Sequence, residues 1–404
     1  MSSMTDTNAS KFRLSMLIND TRYRSTTFQV IALIALIFAM GYLVNNLLSN
    51  LADAGLNISW RFLGETAGYD INQQPIAYDS QMTHGRASVV GAINTLIVAF
   101  LACVSATILG VIAGVLRLSN NWVVSKLMAV YVEAFRNVPV LIWILIIFLV
   151  MSNVLPQPRE FRGDAATSAM WFDMIAFTNR GVYIPRTVMG DTGWVVVLSF
   201  FLSIVGVYAF RRYARNLLFE TGRMIPTLLP SISILFVPAV VVFFLLGNPI
   251  GLEYPALKGF NFQGGVHLRL SLIALWFALA IYTGAFIAEN VRAGIQAISH
   301  GQTEAAAALG MRPRRIMSLI VLPQALRVIV PPLISQYLNI TKNSSLAIAV
   351  GYMDITGTLG GITLNQTGRA IECILILMLF YLVISLAISA IMNVYNNTMK
   401  LKER

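Results

Sequence analysis

The chain has 404 residues, of which 57% are hydrophobic and only 12% charged. Soluble domains carry roughly 25% charged residues, so a water-exposed fold of this size is excluded. Yet the net charge is +11. A basic excess points to nucleic acid, anionic lipid or membrane topology, and its distribution has to decide between them.

About 20 apolar residues cross a bilayer. Eight stretches qualify: 28–48, 89–116, 127–151, 193–210, 228–247, 268–291, 328–350 and 372–395. The 27 mostly polar residues before the first span exceed a signal peptide's n-region. Although Ala52-Asp53-Ala54 is a small-x-small sequence, the first span is therefore expected to be an uncleaved anchor. Residues 50–88 and 153–192 are long polar loops, read either as folded caps and docking surface or as padding. The fifth span contains Pro238, a predicted kink. Lys342-Asn343-Ser344-Ser345 interrupts the seventh.

With the N-terminus placed in the cytoplasm, 18 of the 29 basic residues fall on that side and nine on the other. The positive-inside rule then predicts eight crossings with both termini cytoplasmic. The basic residues are spread over several loops and both tails, not one stripe, so nucleic acid is not an expected partner. Cys103 and Cys373 lie inside apolar runs, and His84, His267 and His300 are far apart in sequence. No metal site and no catalytic residues are expected. Gly-Lys never occurs, so there is no Walker A loop to bind ATP.

The cytoplasmic loop 292–327 differs in character from the others. Thr303 can cap a helix with Glu304 in its first turn, where a carboxylate suits the helix dipole. The alanines 305–308 favour helix and offer a smooth face. Gly310 stands where a C′ residue belongs. Arg312-Pro313 opens a second helix, expected to end near Leu322-Pro323. Locally this is a surface helical hairpin.

Its residues also carry a resemblance. Glu304-Ala305-Ala306, Gly310 and Ile320-x-Leu322-Pro323 match EAA-x3-G-x9-I-x-LP. That pattern resembles the signature loop of permease subunits of bacterial ABC importers. The stretch from Tyr282 to Gln296 resembles the YTAAYxAExVRGGIQ segment of the histidine/glutamine type of polar amino acid permease. Glu133-Ala134-Phe135-Arg136-Asn137-Val138-Pro139 resembles the E-x-FRNTP segment, and Gly91 to Leu96 the opening of the first core helix. The whole is most similar to the larger subunits of general L-amino-acid importers. Departures are Ser299-His300 for Pro-Lys, Val138 for Thr, and Lys342-Asn343-Ser344-Ser345 for K-D-T-S, which removes a carboxylate.

The resemblance implies an all-α integral membrane protein of about eight helices in the bacterial inner membrane. A five-helix core would occupy 89–152 and 268–395. Residues 1–27 and 396–404 would be cytoplasmic tails, 28–88 an added helix and loop, and 153–267 a two-helix insertion. The chain itself would bind no cofactor and catalyse nothing. ATP and Mg would sit on two copies of a partner ATPase docked on the loop. A periplasmic amino-acid-binding protein and a second permease chain, a sister or a second copy, would complete the assembly. Glu304, Ala305, Ala306, Leu309, Gly310 and Pro323 are the expected coupling residues. Polar groups in spans usually face a cavity or a partner. Arg136, Asn137, Lys342, Asn343, Ser344 and Ser345 are accordingly the pathway candidates, with helix–helix contacts as the other reading of the last stretch. Glu133 with Arg136, and Glu289 with Arg292, are i,i+3 pairs that can be purely structural. Two alternatives stay open. One is a gating or assembly subunit without its own substrate site. The other is a secondary transporter, which would be expected to show internal symmetry.

Overall fold

The computed structural model describes residue 18 and residues 21–55, 57–162 and 167–399. Lys11, Arg13, Lys400, Lys402 and Arg404, all used in the charge count, lie outside the described residues. The chain divides into two units, one up to Trp60 and one from Arg61. The first contains helix α1 (Thr21–Asp53). Its apolar side chains, among them Phe28, Ile34, Phe38 and Leu43, are exposed, as a helix surrounded by lipid requires.

In the second unit, α2 (His84–Arg117) starts where Thr83 accepts a hydrogen bond from the Arg86 N–H, 3.2 Å. The loop before it is a folded cap. Ala67, Ile71 and Tyr78 pack against Ala87 and Val90, and the Tyr78 hydroxyl donates to the Tyr69 carbonyl, 2.8 Å.

The third span is a bent pair. Helix α3 (Trp122–Asn137) and helix α4 (Val140–Val154) meet at 109°. The cause is local: Val138 precedes Pro139, which disfavours helical backbone there, and Val138 is extended (φ −115°, ψ 136°). Helix α3 is two-faced. Trp122, Leu127 and Val130 are exposed, while Met128, Tyr131, Val132 and Phe135 pack with Ala113, Ala285 and Ala288. Helix α4 is apolar all round and about 22 Å long, short of the roughly 30 Å core. Among the described residues, seven helices are long and apolar enough to cross, or eight if the bent pair is one span.

Helices α5 (Gly193–Thr221) and α6 (Leu228–Leu245) pack on each other as a hairpin, α6 continuing through Pro238. The loops around them carry short strands that the sequence pattern did not predict. Strands β1 (Ala176–Thr178), β2 (Gly181–Ile184) and β7 (Val266–Arg269) form an antiparallel sheet in the order β1-β2-β7. Strand β3 (Arg186–Met189) pairs with β4 (Ile250–Glu253), and β5 (Ala256–Lys258) with β6 (Asn261–Gln263). Tyr183 stacks on His267 at 4.1 Å and its hydroxyl donates to Asn261 Oδ1 at 2.8 Å. Strands of three or four residues are too brief for a period-two pattern to stand out.

Helix α7 (Leu270–Gln296) is the axis of the core. Its Leu272, Leu275, Ala278, Leu279, Ile287 and Val291 pack with Val98, Ala102 and Ala106 of α2. Ala102, Ala106, Gly110 and Gly114 recur every four residues on α2, the small-residue spacing that lets membrane helices approach closely. A Cβ on Gly110 would lie 2.5 Å from the Ile287 Cβ. Gly110 meets Ile287 and Gly114 meets Val291, so α2 and α7 run parallel.

The loop after α7 forms helix α8 (His300–Ala308). Helix α9 (Pro313–Ile316) then passes through a π-helical turn, Met317–Val321, into helix α10 (Leu322–Asn343). The sequence pattern predicted an end near Leu322-Pro323; the chain instead stays helical there. Proline crowds the carbonyl four residues back, and the wide π turn absorbs this, with the Leu322 N–H donating to Met317 O. Helix α10 tightens to 3-10 geometry over Ser344–Val350. A π-helical segment, Thr356–Thr363, leads into α11 (Leu364–Thr367), and α12 (Ala370–Met399) closes the fold.

Candidate coupling surface and translocation pathway

Helix α8 begins at His300 after Ser299, one turn earlier than the capping pattern predicted. The Thr303 hydroxyl donates to the His300 carbonyl at 2.6 Å and so caps nothing. Glu304 is therefore past the first turn. The helix ends as expected. Gly310 is left-handed (φ +75°), the Gly310 N–H donates to Ala307 O at 2.9 Å and the Met311 N–H to Ala306 O at 3.2 Å. Those two bonds form a Schellman motif.

The capped helix has an anchored and an open face. Ala306 is 3% exposed and packs with Ile316 and Val321, flanked by Ile295 and Ile298. Glu304, Ala305, Ala307, Ala308 and Pro323 are exposed, and Leu309 is 81% exposed. Of the expected coupling residues, Ala306 thus faces its own chain, which makes it a structural anchor. The others face outward.

Close by, charges join three helices. Arg117 of α2 bonds Glu289 of α7 and lies 3.6 Å from Glu133 of α3. Arg292 grips the same Glu289 carboxylate, with Nη2 2.5 Å from Oε1. Glu133 thus pairs with Arg117 and not with Arg136, and it also accepts from Asn137 Nδ2 at 3.3 Å. Arg136 lies over the Phe286 ring, 5.4 Å from its centroid.

The bend at Val138 puts Arg136 and Asn137 at a corner rather than along a straight span. Both are exposed residues at the last turn of α3, on the corner before α4. Lys342 and Asn343 end α10, with Lys342 exposed and Asn343 half-buried. Ser344 is buried and donates to Thr341 O, and Ser345 donates to Lys342 O, both at 2.7 Å. These hydroxyls retain acceptor capacity. The two candidate groups sit at different depths. Arg136 is level with Phe286, near Gly110 and Ile287, whereas Lys342 lies more than a turn beyond Tyr337, which bonds Thr107 at 2.8 Å.

At the other end lies an open cleft with buried polar groups behind it, which the sequence pattern did not predict. This cleft, of about 620 Å³, is lined by residues including Asn72, Met353, Asn365 and Gln366. Behind it, the buried Asn94 amide donates to Gln73 O and Met353 O, each at 2.9 Å. Buried Asp354 accepts from the Gly357 N–H at 2.8 Å. The available signal was the polar interruption Thr363–Gly368 between the last two spans.

Comparison with known proteins gives the family. Residues 212–400 match the family model described as "Binding-protein-dependent transport system inner membrane component". The chain is 50% identical to the glutamate/glutamine/aspartate/asparagine transport system permease protein BztB of Rhodobacter capsulatus, over 97% of both chains. The chain belongs to the permease subunits of ABC importers. It is also 40% identical to the general L-amino acid transport system permease protein AapQ of Rhizobium johnstonii, over 95% of this chain and 94% of that protein. The glutamate/aspartate import permease protein GltJ of Escherichia coli K12 matches 55% of this chain but 95% of its own length, at 29% identity. A shorter member of the family therefore lacks a counterpart for much of this chain. Family membership and the apolar helices make this a multi-pass inner membrane protein.

Proposed function

We propose that this permease moves amino acids from periplasm to cytoplasm by alternating access, driven by a separate ATPase that docks on α8. The observation that carries the proposal is the open face of that helix, with Leu309 presented and the chain turned sharply at Gly310. Exposed apolar residues beside small ones suit a protein partner's cleft. The anchored face, through Ala306 and the α9–α10 helix, supplies a stiff lever from the docking point into the membrane. ATP and Mg belong to the ATPase, present in two copies. A periplasmic binding protein delivers substrate, and a homologous permease chain completes the pore. The N- and C-termini are both cytoplasmic, on the side of α8.

The printed names of the relatives point to amino acids with acidic and amide side chains, and to L-amino acids generally. The Lys342-Asn343-Ser344-Ser345 stretch lacks the carboxylate that would select cations, which favours broad specificity. Reconstitution with the ATPase, the sister permease and the binding protein in proteoliposomes tests this. ATP-dependent uptake of one labelled amino acid should be competed by neutral, acidic and basic ones. Uptake confined to one charge class would overturn the breadth, and no ATP-dependent uptake would overturn the function. Substrate-stimulated ATPase unchanged in both Arg136→Ala and Lys342→Ala would assign substrate binding to the partner permease.

A further inference from the structure

The α5–α6 hairpin contains a second basic feature. An open cavity of about 760 Å³ lies at the end remote from the strands, between the last turns of α5 and the loop into α6, lined by residues including Tyr208, Arg211, Arg212, Arg215 and Thr227, the three arginines being exposed. Arg211 Nε reaches across the pair to Ser231 Oγ at 3.3 Å, which fixes one guanidinium at the cavity wall. Among the described residues, no Asp or Glu oxygen lies within 4 Å of any of the three guanidinium groups. Three like charges gathered without a counter-charge repel one another. A bound anion would relieve that.

Depth narrows the choice of anion. The apolar stretch of α5 ends at Arg211 and that of α6 begins at Leu228, so the cavity sits where hydrocarbon gives way to headgroups. Apolar side chains of the same stretch are open: Met224, which lines the cavity, and Phe219, Leu228 and Leu229 are all exposed. The side of the membrane follows from the strands. Helix α5 follows β3 and α7 follows β7, both on the strand-bearing side, so the arginines lie on the same side as α8. A purely topological role needs only charge, which Lys would supply. Every basic residue from 211 to 223 is Arg, the side chain whose fork matches phosphate oxygens bidentately.

We propose that this cavity is a headgroup site for an anionic phospholipid. Its phosphate would be held by Arg211, Arg212 and Arg215, and its acyl chains by the apolar surface of the hairpin. Basic pockets between membrane helices are a general solution for such lipids.

The test uses the full-length protein in phosphatidylcholine nanodiscs titrated with fluorescent phosphatidylglycerol. Saturable binding is expected, weakened at least about tenfold in the Arg211→Gln/Arg212→Gln/Arg215→Gln variant. Equal binding by wild type and an inserted triple-Gln variant overturns the site. So does equal binding of fluorescent phosphatidylcholine, or complete displacement by equimolar glycerol phosphate, which would mark a site for soluble anions. If the triple-Gln variant fails to insert, Arg211→Lys/Arg212→Lys/Arg215→Lys decides, since it keeps the topogenic charge. Weaker lipid binding by that variant supports a guanidinium site, and binding equal to wild type overturns it.

Discussion

Ala306 lies within α8 and Leu309 at its C-cap, three residues on, and the two differ sharply in exposure. Ala306 is buried against Ile316 and Val321, and Leu309 stands in the open. The helix is therefore held by its own chain on one side and available to a partner on the other. Ala306→Leu should overpack the anchor and cost about 1–3 kcal/mol locally. Ala305→Leu and Leu309→Ser, at exposed positions, should stay within about 0.5 kcal/mol. Thermal unfolding of the solubilised protein distinguishes the two sites. Equal destabilisation at Ala305 and Ala306 would contradict the two-faced helix.

The Arg117–Glu289–Arg292 cluster ties the ends of α2 and α7. Its members are partly shielded, with side-chain exposures of 17%, 22% and 27%. The Arg117–Glu133 contact involves a more open carboxylate and is longer. Coupling between Arg117 and Glu289 should be roughly 0.5–3 kcal/mol in a double-mutant cycle, and that between Arg117 and Glu133 under about 1 kcal/mol. The reverse order would show that Glu133 is the principal partner.

Close approach of α2 and α7 depends on small residues. Gly110→Val places branched carbons where the Ile287 side chain already sits. A cost of about 1–3 kcal/mol is expected, recovered in part by Ile287→Ala. Retained stability of Gly110→Val alone, measured by thermal unfolding, would mean that the helices separate more easily than their packing indicates.

His267 gives the strand-bearing cap a pH dependence. Burial against Tyr183 pushes its imidazole below the ordinary 6.5, with the Arg269 charge acting the same way and the bond to Arg180 O opposing. A depressed histidine pKa means that the folded cap prefers the neutral ring. Its contribution is complete above the unfolded value near 6.5 and is lost as pH falls through 6.5 towards the folded value. Proteolysis of the cap should accelerate between pH 7.5 and 5.5, and His267→Phe should flatten that dependence. An unchanged pH profile in the variant would exclude His267 as its source.

Much of this architecture was legible in the sequence because bilayer physics is so restrictive. A run such as 228–247 has few ways to be anything but a buried or spanning helix. The Gly310 cap was readable because a left-handed helix terminus favours glycine strongly. The bend at Val138-Pro139 was hidden inside a continuous apolar average, although the proline marked it. The β2–β7 pairing was not readable, since it joins residues some 80 positions apart through strands of four residues. The start of α8 was misplaced by a turn because Ser299 and Thr303 both suit a cap, and local pattern does not rank them. Which side of α8 faces its own chain depended on Ile316 and Val321 folding back, a tertiary fact.

On the proposed function, the open face of α8 transmits work from an ATPase to the membrane helices. The most direct measurement of this is ATP-driven amino acid uptake by the reconstituted complex carrying Leu309→Arg or Gly310→Val, with insertion and assembly checked in parallel. Among the described residues, nothing lies within 4 Å of a Cβ placed at Gly310, but the left-handed backbone there disfavours any side chain. Both variants should insert normally and lose uptake by about tenfold or more, as expected for about 1.4 kcal/mol or more of lost docking or coupling energy. Wild-type uptake by both inserted variants would contradict the account.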